Sequence, residues 1–329
     1  MPSISVVIPT YNRCAFVADA IDSVFRQQCH DTEIIVVDDG SEDATREKVA
    51  PFVAAGAVTY VWQPNQGVSA ARNRGIREAS GEFVAFLDSD DLWTPAHLHG
   101  LRDALDRYRG FDVAFSKFRF VGCNSDADRQ NASFDRSIRE MLDVCFSKEA
   151  GVWLSNGRLL QGLLQIGFPF RIQGSLIRTA LLRRCRLQFD EAVDYTEEAQ
   201  FMIEAACHAR FVYVDEATLV VRRHEGNTDD RGYGPKVVSS YEKRIRRLKE
   251  LFGRTLAGEE RRAFKHALCK MQSHIFRERA READLRTTIA ESARLLAEVP
   301  CYESVRAVAR ILLRRRVAGM PAGSIGERA

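Results

Sequence analysis

Short apolar runs alternate with helical patterns along the first third of the chain. Residues 4–8 form a nearly continuous apolar run that ends at Pro9, and residues 33–37 form a second one. Such runs are typical of strands that are buried on both faces of a parallel sheet. Between them, the apolar residues of segment 13–28 recur at helical spacing and predict a helix with one apolar face.

The same unit repeats farther along the chain. Strands and helices are predicted in alternation at residues 58–62, 68–80, 82–87 and 94–108. Short links between alternating strands and helices indicate βαβ units. We therefore predict an α/β, Rossmann-like fold with a mostly parallel sheet flanked by helices.

The pattern is less regular in the middle of the chain. The pattern over residues 119–170 predicts only short helices, near 135–147 and 155–165. The organisation of this segment stays open. Regularity returns where a helix and two short strands are predicted, at residues 196–208, 211–214 and 218–222. A helical pattern then begins at Pro235, so we predict one large domain over residues 1–234, with halves at 1–118 and 119–234, and a C-terminal helical appendage over 235–329.

Charge is distributed unevenly between these two regions. Residues 235–329 carry 22 Lys and Arg against 11 Asp and Glu, a net charge of +11, whereas residues 1–234 have a net charge of −8. The acidic front region argues against a nucleic-acid groove there, although the basic region keeps nucleic-acid binding open as an alternative. Segment 310–317 mixes apolar and basic residues as interfacial helices do, so residues 235–329 are candidates for peripheral contact with an anionic membrane. A solvated basic face, packing on the larger domain and a homodimer are the alternatives.

No run of about 18 uncharged apolar residues is present, and the first residues enter a strand pattern without the features of a signal peptide. The eight cysteines are scattered, with no C-x-x-C pair and no zinc-type cluster. We therefore expect free thiols and a cytoplasmic protein, at most peripheral at the inner face of the membrane.

Polar residues cluster where three of the predicted strands end. The clusters are Pro9-Thr10-Tyr11-Asn12, Asp38-Asp39-Gly40-Ser41 and Asp88-Ser89-Asp90-Asp91. Ligands of open parallel sheets bind at the carboxyl ends of the strands, so these clusters are candidates for a binding site. Turn and cap chemistry would explain any one of them, because Asp, Asn, Gly and Ser are common turn residues. It explains the coincidence of all three less well.

The third cluster places three carboxylates within four residues. Like charges so close repel one another unless a cation or a positively charged ligand is present. Hard oxygen ligands suit Mg²⁺ or Mn²⁺, and these ions also bridge phosphate oxygens. The cluster therefore predicts a divalent metal cofactor beside a phosphorylated ligand.

Taken together, the motifs of residues 3–100 resemble the family 2 glycosyltransferases of the GT-A fold. The resemblance is carried by residues 5–12, Val36-Val37-Asp38-Asp39-Gly40-Ser41, residues 65–73 and Phe86-Leu87-Asp88-Ser89-Asp90-Asp91. It implies an inverting enzyme of the hexosyltransferase type that uses a nucleoside-diphosphate sugar, usually linked to UDP. It also implies that residues 1–118 bind the nucleotide sugar, that residues 119–234 bind the acceptor, and that the D-x-D motif holds Mn²⁺ or Mg²⁺.

The resemblance also implies roles for single residues. Pro9, Thr10, Tyr11 and Asp39 would bind the uracil and ribose, with Arg72 near the base. Asp88 would meet the ribose or diphosphate, Asp90 would ligate the metal, and His224, which follows a strand-like run, would help to hold the metal or diphosphate. From the residues alone, three alternatives stay open: Tyr11 in the core, Arg72 paired with a carboxylate, and His224 as an ordinary surface or core histidine.

A second acidic motif of the family, commonly Glu-Asp, opens a helix and supplies the catalytic base. The matching residues here are Glu197 and Glu198, so a glutamate stands where aspartate is usual. Its charge and longer reach preserve the base chemistry, and Glu198 is the first candidate with Glu197 as the second. The alternative is that both acids stabilise the dipole of the helix that they begin.

The resemblance thus implies transfer of a sugar to a hydroxyl of a saccharide or lipid-linked saccharide, in the synthesis of bacterial surface or secreted glycans. The alternative is a nucleotide-binding or scaffold protein with a GT-A fold and impaired catalysis, because a fold alone does not determine a function.

Overall fold

The computed structural model describes residues 3–27, 29, 31–122, 126–167, 169–193, 195–224, 235–253, 255–282, 285–298, 304–309 and 311. Two compact units divide the chain, Met1–Arg231 and Gly232–Ala329. The first unit contains the sheet, and the described part of the second is helical.

Ten strands of the described residues form one mixed sheet, in the order β3-β2-β1-β4-β9-β6-β10-β8-β7, with β5 paired to β10. They are β1 (Ile4–Thr10), β2 (Thr32–Asp38), β3 (Thr59–Trp62), β4 (Phe83–Phe86), β5 (Leu92–Trp93), β6 (Val113–Gly122), β7 (Phe146–Glu149), β8 (Val152–Ser155), β9 (Ser175–Arg178) and β10 (Phe211–Arg223).

The helices of the first unit cover the sheet and include the elements that the periodicity predicts. They are α1 (Val17–Phe25), α2 (Thr45–Ala54), α3 (Val68–Glu78), α4 (His97–Arg107), α5 (Asp126–Cys145), α6 (Leu159–Gln165), α7 (Thr179–Cys185) and α8 (Glu197–Ala206), with a single 3-10 turn at Ile172–Gly174. The predicted α/β fold with flanking helices is confirmed.

The parallel part of the sheet brings the predicted strand ends together. Strand β1 is buried along its whole length and pairs in parallel with β2 and β4, while β3 extends the parallel set beyond β2. The register places Thr10 beside Asp38 at the end of the strands. The loops after β1, β2 and β4 therefore lie at one edge of the sheet.

The second part of the sheet is mostly antiparallel, which makes the whole sheet mixed rather than mostly parallel. Strand β9 lies antiparallel between β4 and β6, whereas β10 runs parallel to β6 and antiparallel to β5 and β8. The two short strands predicted at 211–214 and 218–222 are one strand, β10, with register shifts between Val214 and Leu219. The two runs look like separate strands in the sequence because the strand is irregular between them. A bulge changes the face of the sheet to which the following side chains point.

The region that the sequence leaves open contains a 20-residue helix, a hairpin and a short helix. Helix α5 is much longer than the short helix predicted near 135–147, and it buries Ile138, Met141 and Leu142. The hairpin of β7 and β8 turns through Ala150 and Gly151, which both have positive φ, as a two-residue hairpin turn requires.

Helix α3 lies unusually close to β1. A Cβ atom at Gly75 would approach Cγ1 of Val7 to 2.1 Å, so only glycine permits this packing. The buried face of α3 is otherwise polar or small, with Ser69, Ala70, Arg72 and Asn73 turned inward. A helix with so little apolar surface is held here by close packing and by its polar contacts.

The second unit contains α9 (Pro235–Phe252), α10 (Gly258–Glu282) and α11 (Leu285–Glu298). Four apolar residues of α9 are buried: Val237, Ile245, Leu248 and Phe252. Every helix of the described residues is too short or too polar to cross a bilayer. Five cysteines of the first unit are free, as expected, but Cys269 of α10 is disulfide-bonded, so the expectation of free thiols is wrong at that position.

A histidine of α4 is enclosed in the core beneath β5 and β10. The side chain of His97 is 1% exposed, its ring stacks on Trp93 at 4.4 Å, and its Nδ1 lies 2.7 Å from Oγ1 of Thr218. Burial lowers the pKa of His97 to about 3, because the imidazolium would lose its hydration.

This burial predicts a loss of stability in acid. The unfolded chain takes up a proton on His97 below pH of about 6.5 and the folded protein does so only near pH 3, so the contribution of neutral His97 falls as pH falls through this window. The free energy of unfolding of wild type should exceed that of His97→Gln at neutral pH. This difference should shrink by about 1.4 kcal/mol for each pH unit below about 6.5. Urea unfolding at several pH values measures it, with His99→Gln on the same helix as the exposed control. A difference that is constant from pH 7 to pH 4 would contradict the prediction.

Candidate active site

The loops after β1 and β2 are tied to each other by Asn12. Its backbone N–H donates to Oγ of Ser41 at 2.9 Å, and its Oδ1 accepts from the backbone N–H of Glu42 at 2.8 Å. Asn12 has a φ of +51°, a conformation that asparagine tolerates better than most residues. The two loops therefore form one rigid edge of the site.

Asp39 organises the loop that leads into α3. Its carboxylate is buried and accepts from Nε2 of Gln63 at 2.7 Å and from the backbone N–H groups of Gln66 and Gly67 at 3.0 and 2.7 Å. Gly67 has a φ of +93°, which allows the turn that places its N–H there. The predicted contact of Asp39 with a nucleotide stays a prediction, and the structure gives the carboxylate a structural task as well.

The other residues predicted to bind the nucleotide lie at the end of β1. Pro9 and Thr10 are buried, and Oγ1 of Thr10 has no hydrogen-bond partner. Tyr11 is 44% exposed, so the alternative that it belongs to the core is wrong. An exposed ring at this edge is suited to stacking on a base.

The three carboxylates after β4 meet in space. Asp88, Asp90 and Asp91 each offer an oxygen, and these oxygens lie within 4.8 Å of one another. Burial raises the pKa of Asp91 well above its ordinary value, and the charges of Asp90 and Asp88 raise it further. A divalent cation would offset this repulsion, so the donor set fits the hard metal ion that the sequence predicts.

Two basic side chains hold Asp90 on the other side of the cluster. Nε of Arg13 lies 3.1 Å and Nε2 of His224 lies 3.2 Å from Oδ2 of Asp90, and the His224 ring stacks on Phe16 at 4.4 Å. The structure thus brings together Asp90 and His224, the two residues predicted to hold the metal. Arg13 belongs to the site as well, although no motif in the sequence points to it.

Arg72 occupies the centre of the site and is 1% exposed. Its guanidinium donates to Oδ1 of Asp88 at 2.9 Å and to Oε1 of both Glu197 and Glu198 at 3.1 Å, and it lies over the Phe189 ring at 5.2 Å. Burial alone would lower the pKa of Arg72, but the charges of Asp88, Glu198 and Glu197 outweigh it and raise the pKa. The alternative that Arg72 pairs with carboxylates is therefore correct. The predicted place of Arg72 near the uracil of the nucleotide stays a prediction.

The two glutamates at the start of α8 have different surroundings. The side chain of Glu197 is 10% exposed and its Oε2 is buried without a hydrogen-bond partner, whereas the side chain of Glu198 is 17% exposed. Burial raises the pKa of Glu197 to about 7. The positive charge of Arg72 lowers this pKa, and the negative charge of Glu198 raises it. Glu197 is thus the less accessible of the two acids.

Gln173, in the 3-10 turn, is a member of the site for which the sequence offers only a weak signal. Its Nε2 donates to Oδ2 of Asp88, and also to Oε1 of Glu198 at 3.1 Å. The segment Gln173-Gly174-Ser175 resembles an acceptor-side segment of the family, but nothing in it predicts a contact with both carboxylates. The strand order explains the contact. The 3-10 turn directly precedes β9, and β9 lies between β4 and β6.

Known families and proteins resemble this chain in sequence and in fold. The model of the family named Glycosyl transferase family 2 matches residues 5–176, more than half of the chain. EpsJ of Bacillus subtilis, an uncharacterized glycosyltransferase, is 28% identical over 240 residues, which cover 71% of this chain and 65% of EpsJ. The glycosyltransferase alr2836 of Nostoc is 40% identical over 112 residues, 33% of this chain and 34% of that protein. The chain thus matches less than two thirds of the length of either relative.

Two solved structures have the same fold at low sequence identity. Residues 1–349 of TarS from Staphylococcus aureus, in complex with UDP-GlcNAc, align with a TM-score of 0.65 at 20% identity and cover 97% of this chain and 92% of theirs. The mannosyltransferase PcManGT from Pyrobaculum calidifontis, in complex with GDP-Man and Mn²⁺, aligns with a TM-score of 0.58 at 18% identity, over 96% and 80% of the two chains. The predicted GT-A fold is confirmed, and the extent of the family match shows that the chain belongs to glycosyl transferase family 2, a family of transferase enzymes.

Proposed function

We propose that the protein is an inverting glycosyltransferase that moves a hexose from a nucleoside-diphosphate sugar, UDP-linked by preference, to a hydroxyl of a saccharide or lipid-linked saccharide. The observation that carries the proposal is the junction at Arg72. There the acid that follows β4 and the acids that begin α8 share one buried cation. A transferase needs its donor and its base within reach of one another, and this junction supplies that arrangement.

Residues at the ends of β1, β2 and β4 would bind the donor. In the proposal, Pro9, Thr10, Tyr11 and Asp39 meet the base and ribose, and Asp88 meets the ribose or diphosphate. The exposed ring of Tyr11 is available to a ligand, whereas the hydroxyl of Thr10 is buried and has no hydrogen-bond partner. The complexes of TarS with UDP-GlcNAc and of PcManGT with GDP-Man support a nucleotide sugar as the donor class, and the choice of UDP rests on the family resemblance.

Asp90 and His224 are the residues proposed to hold a divalent metal, with Asp88 and Asp91 beside them. The crowding of three carboxylates supports Mn²⁺ or Mg²⁺, and PcManGT is a neighbour in complex with Mn²⁺. When bound, the metal supplies positive charge to a diphosphate leaving group. Arg13 and His224 already hold the Asp90 carboxylate in place.

Glu198 is the proposed general base, with Glu197 as the second candidate. Its carboxylate would take the proton of the acceptor hydroxyl while that oxygen attacks the anomeric carbon and the nucleoside diphosphate leaves, which inverts the configuration. The greater exposure of Glu198 and its shared contacts with Asp88 support the choice. A scaffold protein with impaired catalysis would keep the donor site and lack this step.

The metal proposal predicts that Asp90→Asn abolishes metal-dependent release of the nucleotide. The amide keeps the size of the side chain but removes the charge that attracts the cation. Release of the nucleoside diphosphate from a panel of nucleotide sugars, with Mn²⁺ or with EDTA, measures the effect. Asp112→Asn is the matched control, since Asp112 is also 16% exposed and also pairs with one arginine. Full activity of Asp90→Asn, or of wild type in EDTA, would refute the metal role.

The base proposal predicts that Glu198→Gln lowers turnover by roughly 10²–10⁴-fold, with little change in UDP affinity. Steady-state kinetics and UDP titration calorimetry measure the two quantities. Glu197→Gln tests the second candidate, and Glu204→Gln, on the same helix, is the control. A parallel loss of UDP binding and rate would assign Glu198 to the donor site, and a larger loss in Glu197→Gln would move the base to Glu197.

The acceptor and the membrane contact belong to the same proposal. The net charge of +11 over residues 235–329 supports contact with an anionic membrane, which would present a lipid-linked acceptor. Most of segment 310–317 lies outside the described residues, so the support is compositional.

We expect co-sedimentation with anionic liposomes at low salt and release at high salt, because each basic residue near the surface contributes about 1 kcal/mol. Equal recovery in the supernatant with anionic and neutral liposomes at both salt concentrations would contradict membrane contact and favour intramolecular packing or a homodimer.

A further inference from the structure

Four side chains form a closed ring of hydrogen bonds at the centre of the site. Nη2 of Arg72 donates to Oδ1 of Asp88 and to Oε1 of Glu198. Nε2 of Gln173 donates to Oδ2 of Asp88 and to the same Oε1 of Glu198. Two nitrogen atoms therefore each bridge the same pair of carboxylates.

The chemistry of the ring requires donors at both bridging positions. Ionised Asp88 and Glu198 only accept hydrogen bonds and repel each other. A guanidinium nitrogen and an amide nitrogen each carry two hydrogens, so each can donate once to either carboxylate. The same chemistry orients the amide of Gln173, since its oxygen would repel both carboxylates.

Gln173 is held rigidly where it makes these contacts. Its side chain is 2% exposed, and its backbone carbonyl accepts from Nε1 of Trp93 at 2.7 Å. The 3-10 turn is closed by Oγ of Ser175, which donates to the carbonyl of Ile172 at 2.6 Å. The backbone N–H of Ile172 in turn points to Oε2 of Glu198 at 3.4 Å. The turn is thus built against Glu198 by both its backbone and its side chain.

We propose that Gln173, together with Arg72, is a positioning residue that sets the distance between Glu198 and Asp88. The inference rests on the proposed function, in which Glu198 acts on the acceptor and Asp88 meets the donor. A buried amide that bridges both carboxylates determines where the base stands relative to the donor. A displacement of about 1 Å at such a point can cost about 10²-fold in rate.

The test replaces the bridging amide by an apolar side chain of similar length. Gln173→Met removes both hydrogen bonds and should lower kcat for UDP release from UDP-GlcNAc with Mn²⁺ by roughly 10–100-fold. The KM for UDP-GlcNAc and the Kd of UDP should stay within about twofold, because a positioning residue of this kind acts on the reacting geometry rather than on donor binding. Gln173→Glu, which keeps the size and replaces the bridging donor by a carboxylate, should lower kcat at least as much.

Gln200 offers a matched control. It is also 2% exposed, and its Nε2 also lies between two carboxylates, at 3.3 Å from Asp190 and 3.4 Å from Glu204. Gln200→Met removes a comparable pair of contacts outside the ring, so its kcat should stay within about twofold of wild type. A kcat of Gln173→Met within twofold of wild type would overturn the proposal. So would a loss of UDP affinity in proportion to kcat, which would make Gln173 a donor-binding residue.

A double-mutant cycle on thermal stability separates the ring from the enzyme activity. Gln173→Met should lower Tm more in wild type than in Glu198→Gln, where residue 198 no longer carries a charge for the amide to hold beside Asp88. If wild type neither binds UDP nor releases it from any nucleotide sugar, the proposed function fails, and the cycle still decides whether Gln173 positions residue 198. Additive Tm shifts would overturn the ring. If Gln173→Met does not fold, Gln173→Glu takes its place in the kinetics and in the cycle.

Discussion

The buried charge of Arg72 is the constraint on which the rest of the site depends. A guanidinium that is 1% exposed has lost most of its hydration, and carboxylates from two parts of the chain replace it. Breaking a buried ion pair by removing one partner typically costs 3–5 kcal/mol, because the remaining charge is left without compensation. Here Arg72 has three acidic partners rather than one. The cation therefore makes the close approach of these acids possible.

The fold supplies the conditions for placing a charge so deep. Helix α3 approaches β1 closely because Gly75 carries no side chain against Val7, and this brings the polar face of α3 to the carboxyl edge of the sheet. The loop before α3 is fixed by Asp39, whose carboxylate takes two backbone N–H groups. Phe189 covers the guanidinium and stacks on Phe201 of α8 at 4.3 Å. The same contacts that bury Arg72 thus fix the start of the helix that carries Glu197 and Glu198.

The sequence predicts those parts of this arrangement that depend on local pattern. Periodicity indicates β1, β2, α3 and β4, and the polar residues at the strand ends then follow from the parallel pairing. It does not predict the partners of Arg72 or Gln173, because these contacts join residues up to 126 positions apart through strand order rather than through spacing. The same reason explains α5 and the single strand β10, where packing and a bulge override a weak local signal. Gln173 carries no charge and belongs to no acidic motif, so only the pairing of β9 between β4 and β6 reveals its place.

The ring also gives a physical reason for the glutamate at position 198, where the family commonly has aspartate. Oε1 of Glu198 meets Nη2 of Arg72 and Nε2 of Gln173 at 3.1 Å each, and both nitrogens belong to buried side chains that cannot follow a shorter partner. An aspartate at this position would be one methylene shorter. Its carboxylate would not reach these two donors unless α8 moved inward. Movement of α8 is opposed by Phe201, Met202 and Ile203, which are packed in the core. The longer side chain therefore matches the distance between α8 and the turn of Gln173, so the departure from the family pattern is compatible with the base role proposed for Glu198.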